Sequence, residues 1–271
     1  MHWKLPLWRG RSGRQQMLDT YIDRSRQATF GFASVPAEGK AHRVCGHVNS
    51  VAEHYDFMNR LLSFGVPHLL TRCAVKVLDL RPGMRVLDVC GGTGDLAILA
   101  QRRVGPQGQV GIYDINHAMM SVGRRTTRHA AIRRKLGYIQ GNAEQIAFGD
   151  GSFDAVMVGF GIRNVTHMVR AFEEMYRVLK PGGRLMCLEF SKPTAPVFRW
   201  LYDLYSFSVM PVLGGLLAGS QQAYRHLPET IRLFPLPDEL VEVFIDIGFE
   251  VVNYRRLTNG IAVVHSATKP A

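Results

Sequence analysis

The segment Leu87-Asp88-Val89-Cys90-Gly91-Gly92-Thr93-Gly94-Asp95 constrains this chain most, because it leads from an apolar strand, Val86 to Val89, through a run of glycines into a helix. Glycine lets the backbone turn sharply and lets a ligand come close where a Cβ would collide. Such a turn implies a nucleotide-type cofactor at the carboxyl end of a buried parallel strand. Asp114 ends the next strand about 20 residues later, where a carboxylate can accept both hydroxyls of a ribose. The glycines do not follow the G-x-G-x-x-G spacing of a dinucleotide site, and Asp88 stands ahead of them. A carboxylate there would repel a pyrophosphate and suits a cofactor that carries an amino group, as S-adenosylmethionine does. The competing reading is a structural turn with Asp88 as its cap, and the Asp114 partner argues against it.

Strand and helix patterns alternate from this point. After the turn Arg81-Pro82-Gly83 and the first strand, further strands read at roughly 109 to 113, 138 to 140, 153 to 158 and 184 to 190. Met168, Ala171, Phe172, Met175, Val178 and Leu179 recur at helical spacing, and Pro181, Gly182 and Gly183 are read as the stop of that helix. A helical insertion follows at about 197 to 217, then strands at about 249 to 255 and 261 to 265. The expected fold is α/β and Rossmann-like, a seven-stranded, mostly parallel sheet with helices on both faces. The expected layout is a basic extension over 1–43 and one domain over 44–271. That domain carries a helical cap at 44–80, with breaks at Gly65 and Pro67, and an insertion at about 194–240. Ligands of such sheets bind beyond the carboxyl ends of the strands, where Asp88, Asp114, Asn142 and Gly159 fall. Asn142-Ala143-Glu144, after the third strand, is placed to bond an adenine edge.

The formal net charge of +11 and the pI near 9.8 point to an anionic partner. The excess is densest at Arg124, Arg125, Arg128, Arg133, Arg134 and Lys135, read either as a solvated helix face or as a membrane-surface patch. No aromatic RNP-like pattern accompanies these arginines, so nucleic acid is not the expected partner. The basic residues among 1–40 fit a mitochondrial presequence or a frayed tail. Cys45, Cys73, Cys90 and Cys187 form no C-x-x-C pair, so neither a disulfide framework nor a metal site is expected. The longest apolar run, Phe207 to Ala218, is about half the ~20 residues needed to span a bilayer. It reads as a core helix or as a lid.

Further segments carry a resemblance: FGFASV at 30–35, YDFMN at 55–59, DIN at 114–116, FGIRNVTH at 160–167, YRVLKPGGR at 176–184, LEFSKP at 188–193 and LYDLYSF at 201–207. With the glycine turn and NAE at 142–144, they make the chain resemble the ubiquinone/menaquinone biosynthesis C-methyltransferases, a UbiE-like family of class I S-adenosylmethionine-dependent enzymes, over residues 30 to 268. FGIRNV, LEFSKP and YDLYSF are not general to methyltransferases. The resemblance implies methyl transfer to the ring carbon of a prenylated benzoquinol or demethylmenaquinol.

It also implies cofactor contacts from Thr93, Asp114, Asn142 and Ala143, beside Asp88, Gly91, Gly92, Gly94 and Gly159 of the turn and strand ends. Three departures stand out: Gly159 where members carry serine or alanine, Cys90 for alanine, and Arg60 for an acid. The resemblance makes Arg163 a candidate for starting the deprotonation, but since arginine stays protonated it is expected to stabilise a developing phenolate. Its competing role is tying the loop to a carboxylate. Tyr55, Asn59, Tyr202 and Tyr205 are expected around the ring, and His54 and His68 are lesser proton acceptors. Glu189 and Asp56 are read as orienting neighbours. The expected setting is cytoplasmic and peripheral at the inner membrane face, or the matrix side of a mitochondrial inner membrane, as a homodimer or within a biosynthetic complex. Two alternatives stay open: a soluble phenolic or sterol acceptor, and a non-catalytic scaffold.

Overall fold

In a computed structural model of the chain, the described residues are Arg14, 18–49, 66–126, 129–218 and 221–271. Tyr55, Asn59, His54, Asp56 and Arg60 lie outside them, as does the side chain of His68.

The apolar run before the glycines forms β3, Arg85–Val89, and alternation along it serves two cores. Leu87 and Val89 pack with helix α7, Met168–Val178, and with α11, Pro237–Ile247, where Phe172 and Phe244 meet edge to face at 4.8 Å. Val86 faces the opposite core with α3, Val66–Lys76, and α4, Asp95–Val104. Five parallel strands, β3 with β4 (Gln109–Asp114), β5 (Gly137–Gln140), β6 (Phe153–Gly159) and β7 (Leu179–Phe190), make up most of a seven-stranded sheet. Antiparallel β8, Glu250–Leu257, and β9, Ala262–Thr268, complete the order β5-β4-β3-β6-β7-β9-β8. The Rossmann-like α/β architecture expected from the sequence is therefore present.

Two boundaries differ from expectation. Helix α7 ends at Val178 and β7 begins at Leu179, so Pro181-Gly182-Gly183 lies within the strand and does not stop the helix. Lys180 precedes a proline, which disfavours helical backbone there, and the register slips between Phe153 and Ala155 to absorb the extra residues. The second difference is at the N-terminus, which is not a frayed tail from Asp19 onward. Helix α1, Asp19–Ser25, a hairpin of β1, Gln27–Phe30, with β2, Ala33–Pro36, and helix α2, Ala37–Asn49, follow one another. Asp19 accepts from the amides of Val169 and Arg170 at the start of α7, and Lys40 donates to Val165 O at 2.8 Å. Arg14 pairs with Glu239 at 2.6 Å. The expected boundary between 43 and 44 falls inside α2.

The basic cluster is also split. Arg124, Arg125, Arg134 and Lys135 are exposed and Arg128 lies outside the described residues. Arg133 instead turns inward from helix α6, Ala130–Arg133, donates to Thr93 O and approaches Asp95 at 3.5 Å. With α5, His117–Arg125, these helices follow β4.

The insertion is a continuous helical run followed by a return helix. α8, Pro196–Leu204, passes through a π-helical turn, Tyr205–Val209, into α9, Met210–Ala218. Its return partner is α10, Gln221–Leu233. The two are joined at a buried ion pair, Asp203 with Arg232, whose guanidinium also lies over the rings of Tyr202 and Phe207 at 5.0 and 4.9 Å. A buried charge stripped of its counter-ion is far less favourable than an apolar pair of similar size. Asp203→Ala should therefore lower stability by about 3–5 kcal/mol, while Asp203→Leu combined with Arg232→Met should restore most of it. Urea unfolding of the three proteins measures both, and equal losses in the single and double variants would contradict the assignment.

Candidate active site

The turn after β3 is held by two carboxylates. Gly94 has φ +83°, and a Cβ on it would stand 2.5 Å from Ile112 Cδ1, so both its conformation and its space require glycine. A Cβ on Gly91 would meet the Asp88 carboxyl at 2.9 Å. Asp88 is buried beneath the turn, where its Oδ2 accepts from the amide of Ala97 at 3.1 Å, in the first turn of α4. Asp114 Oδ2 accepts from the amide of Gly92 at 2.8 Å, and its Oδ1 accepts from that of Asn116 at 2.7 Å. The two acids thus fix the loop from below and from the side. Burial raises the pKa of both, most strongly for Asp88, against the lowering effect of these amides.

The turn is one wall of a cavity of about 310 Å³, within the range of small-molecule sites. Asp88, Gly91, Gly92, Thr93, Asp114, Asn142, Ala143 and Gly159 all border it, so the sequence-derived cofactor residues converge, with Gly94 anchoring the turn behind them. Asn142 Oδ1 accepts from the amide of Glu144 at 3.0 Å, which shapes the loop that presents Ala143 to the cavity. The space left by the missing Cβ of Gly159 is taken by the tip of Leu96. Asp88 Oδ1 is buried and makes no hydrogen bond. An orphaned carboxylate oxygen beside a glycine cradle, with Asp95, Asp114 and Glu144 also at the wall, fits a ligand bearing an ammonium and a sulfonium charge. S-adenosylmethionine has both.

The other end of the cavity is aromatic and basic. Phe160 and Phe190 stack there with ring centroids 4.4 Å apart. Arg163, in a 3₁₀ turn at Ile162–Asn164, is buried with its Nη1 bonded to both carboxylate oxygens of Glu189, at 3.0 and 3.2 Å, and to Phe160 O. The tie to a carboxylate, the competing reading of Arg163, is therefore real, and Glu189 is the orienting neighbour expected. Arg163 still borders the cavity, and its buried Nε has no partner.

Tyr202 and Tyr205 do not border the cavity. Tyr202 is drawn to the buried Arg232 instead, and Tyr205 lies in the π-helical turn beyond it. Residues of α10 and α2 stand in their place: Tyr224, His226, Leu227 and Thr230 from one, Ala41, Val44, Cys45, His47 and Val48 from the other. His226 and His47 lie 4.8 Å apart by ring centroid, with Phe30 4.1 Å from His226. Burial, then the neighbouring His47, Arg163 and Lys40, push His226 down to about 3, so it stays neutral at ordinary pH. Neither histidine was legible as a site residue, because the contact joins residues near 47 and 226 that only tertiary packing unites.

Residues 37–269 match the model of the ubiE/COQ5 methyltransferase family. The chain is 45% identical over 247 residues to the ubiquinone/menaquinone biosynthesis C-methyltransferase UbiE of Shewanella pealeana, covering 91% of this chain and 98% of that protein. A protein of the same description from Shewanella baltica is 44% identical over 245 residues, covering 90% and 98%. Among solved structures, a SAM-dependent methyltransferase from Aquifex aeolicus superposes with a TM-score of 0.56 at 18% identity, over 78% of this chain and 92% of that one. One from Thermotoga maritima gives 0.56 at 20%, over 83% and 98%. At those identities the structural matches speak for the fold.

The orphaned oxygen of Asp88 yields a linkage test. A cationic ligand beside it favours the carboxylate, so S-adenosylmethionine binding should release a proton below the raised pKa of Asp88. Calorimetric titration in two buffers of different ionisation enthalpy reads that proton directly. Asp88→Asn should abolish the release and weaken binding tenfold or more, about 1.5–3 kcal/mol for a charged hydrogen bond. In the free protein the folded-state pKa lies above the unfolded one, so the Asp88 contribution is fully present below about pH 4 and is lost as pH rises through the folded value. The Asn variant should lack that fall in stability, and equal proton release by both proteins would contradict the reading.

Proposed function

The chain belongs to the ubiE/COQ5 methyltransferase family, and we propose that the cavity beside the glycine turn holds S-adenosylmethionine at the glycine end and the ring of a prenylated quinol at the aromatic end. It is an S-adenosylmethionine-dependent C-methyltransferase of ubiquinone/menaquinone biosynthesis. The observation that carries the ring assignment is the continuity of one cavity from Asp88 and Asp114 to Phe160, Phe190, Arg163 and His226. Bound S-adenosylmethionine supplies an electrophilic methyl group.

The chain's own residues then bind, orient and polarise. Asp114 holds the ribose hydroxyls, and Asn142 with Ala143 bonds the adenine edge. Asp88 takes the amino group. Phe160 and Phe190 form a shelf for the ring and exclude water from it. Arg163, fixed by Glu189, donates to the quinol oxygen as negative charge develops there, which raises the nucleophilicity of the ring carbon. Because Glu189 already balances its charge, Arg163 acts as an aimed donor more than as a free cation. His226, neutral among cations, accepts a hydrogen bond from a quinol hydroxyl and is a poor store for the proton itself. Holding the ring carbon in line with the methyl group supplies about 7–11 kcal/mol of the barrier at best, so positioning dominates. Tyr55 and Asn59 join the ring site in this reading on the strength of family resemblance alone. The enzyme works at a membrane surface, at the cytoplasmic or matrix face of an inner membrane, as a homodimer or in a biosynthetic complex. Cys90 and Gly159 border the cavity without closing it, which favours catalysis over a scaffold role.

Purified protein should methylate long-chain and short-chain quinols with S-adenosylmethionine, and methylation of soluble phenols alone would overturn the substrate. Arg163→Ala should lose stability as well as activity, because it strands Glu189. Arg163→Ala with Glu189→Gln should refold to near the original stability and still turn over about 10²-fold more slowly. His226→Phe should lower kcat/KM for the quinol by roughly tenfold, one neutral hydrogen bond, with S-adenosylmethionine affinity within about twofold. A joint loss of both affinities would displace His226 from the ring end.

A further inference from the structure

We infer that the outer face of the helical run Pro196–Ala218 is the surface on which this protein lies against an anionic lipid bilayer, an inference that rests on the prenylated-quinol reading of the cavity. The run, α8 through the π-helical turn into α9, is roughly 34 Å long at 1.5 Å per residue. Its polarity is inverted. Asp203, Ser206, Met210 and Gly214, spaced three or four apart, face inward, with Asp203 on Arg232 and Gly214 tight against Tyr224. Val197, Trp200, Leu201, Leu204, Val212 and Leu216 share the outer face, Trp200 at 55% exposure and Leu216 at 77%. A helix facing water puts its polar residues outward. Exposed large apolar side chains elsewhere among the described residues, such as Leu69, Ile115 and Ile245, are scattered singly. An apolar stripe this concentrated marks an interaction surface.

Several features select a lipid surface as its occupant. From Ser191 to Tyr224 the sole acidic residue is Asp203, which is buried, whereas Lys192 and Arg199, both half-buried, stand at the start of the run. The surface therefore presents cations and apolar groups with no exposed acid, the pattern that anionic headgroups and acyl chains attract together. Trp200 lies within the stripe, where an indole suits the boundary between headgroup and chain. The inner face is committed to α10, and no described helix is long and apolar enough to cross a membrane, so the run lies in the plane of the interface. Behind it, α10 supplies Tyr224, His226, Leu227 and Thr230 to the cavity. One helix thus separates the bilayer from the ring end, which places a tail anchored in lipid beside the site that must receive its head.

The test uses the full chain with Trp3→Phe and Trp8→Phe, leaving Trp200 as the one tryptophan. It is mixed with phosphatidylcholine vesicles with and without phosphatidylglycerol. Trp200 emission should shift to the blue and be quenched by lipids brominated on the acyl chain, more strongly with phosphatidylglycerol and less at high salt. Val197→Glu with Leu201→Glu should reduce vesicle partitioning at least about tenfold, and slow methylation of a long-chain quinol in vesicles while sparing a short-chain quinol in solution. Unchanged partitioning of that variant, or no Trp200 response, overturns the proposal. So does a dimer in sedimentation velocity that the variant dissociates without vesicle binding by either form, which would make the face an interface between copies. Calorimetric S-adenosylmethionine binding and short-chain turnover are read on the same samples. Their absence in the unaltered protein would refute the proposed function, while the fluorescence would still report on the surface.

Discussion

Two carboxylates that bind backbone amides hold the turn after β3, and much of the molecule is arranged around that constraint. Asp88 fastens the start of α4 from beneath and Asp114 fastens Gly92 from the neighbouring strand. Asp88 is buried and Asp114 partly buried, and each would be unfavourable there without the amides that face it. The arrangement leaves one buried oxygen of Asp88, a residue that lines the cavity, without a partner. A fold tolerates such an atom where a ligand completes it, so the same interaction that shapes the turn also selects a cationic ligand. Arg133 adds to the constraint from the far side through Thr93 O and Asp95, which explains why it is withdrawn from the basic surface cluster.

Charge around the cavity is graded. Asp88, Asp95 and Asp114 stand at the turn, whereas Arg163, paired with Glu189, and the two histidines stand at the ring end, with the buried Lys40 near His226. The gradient suits a positively charged methyl donor at one end and an oxygen that becomes negative at the other. It also explains why His226 stays neutral: burial and three basic neighbours all act in one direction. Glu189 fixes the Arg163 guanidinium against the Phe190 ring at 5.7 Å. The N-terminal helix α2 closes the cavity above, so a segment resembling an appendage in composition forms part of the site.

The insertion inverts the usual assignment of polar and apolar faces, and the Asp203–Arg232 pair makes this possible. By joining α8 to α10 through charge, it frees apolar positions of the run to face outward. The apolar run Phe207 to Ala218, which composition reads as a core helix or a lid, is neither completely: part of it packs on α10 and part is exposed.

The sequence by itself determined the sheet, the glycine turn and the acids and amide that gather beside it, because each depends on residues close together in the chain. A short apolar run and the glycines after it fix β3 and its turn locally, and Asp114 and Asn142 follow from where the next strands end. The expected helix stop at Pro181 failed because a bulge in β7 absorbs the Pro-Gly-Gly segment, a choice made by pairing with β6. The ring end was decided only by tertiary structure. Tyr202 turns to Arg232, Glu189 claims Arg163, and His47 meets His226 across a separation that no local pattern spans. Side-chain direction there depends on which helix packs against which. Only the packing of α8 and α9 on α10 shows which face of an apolar segment remains exposed.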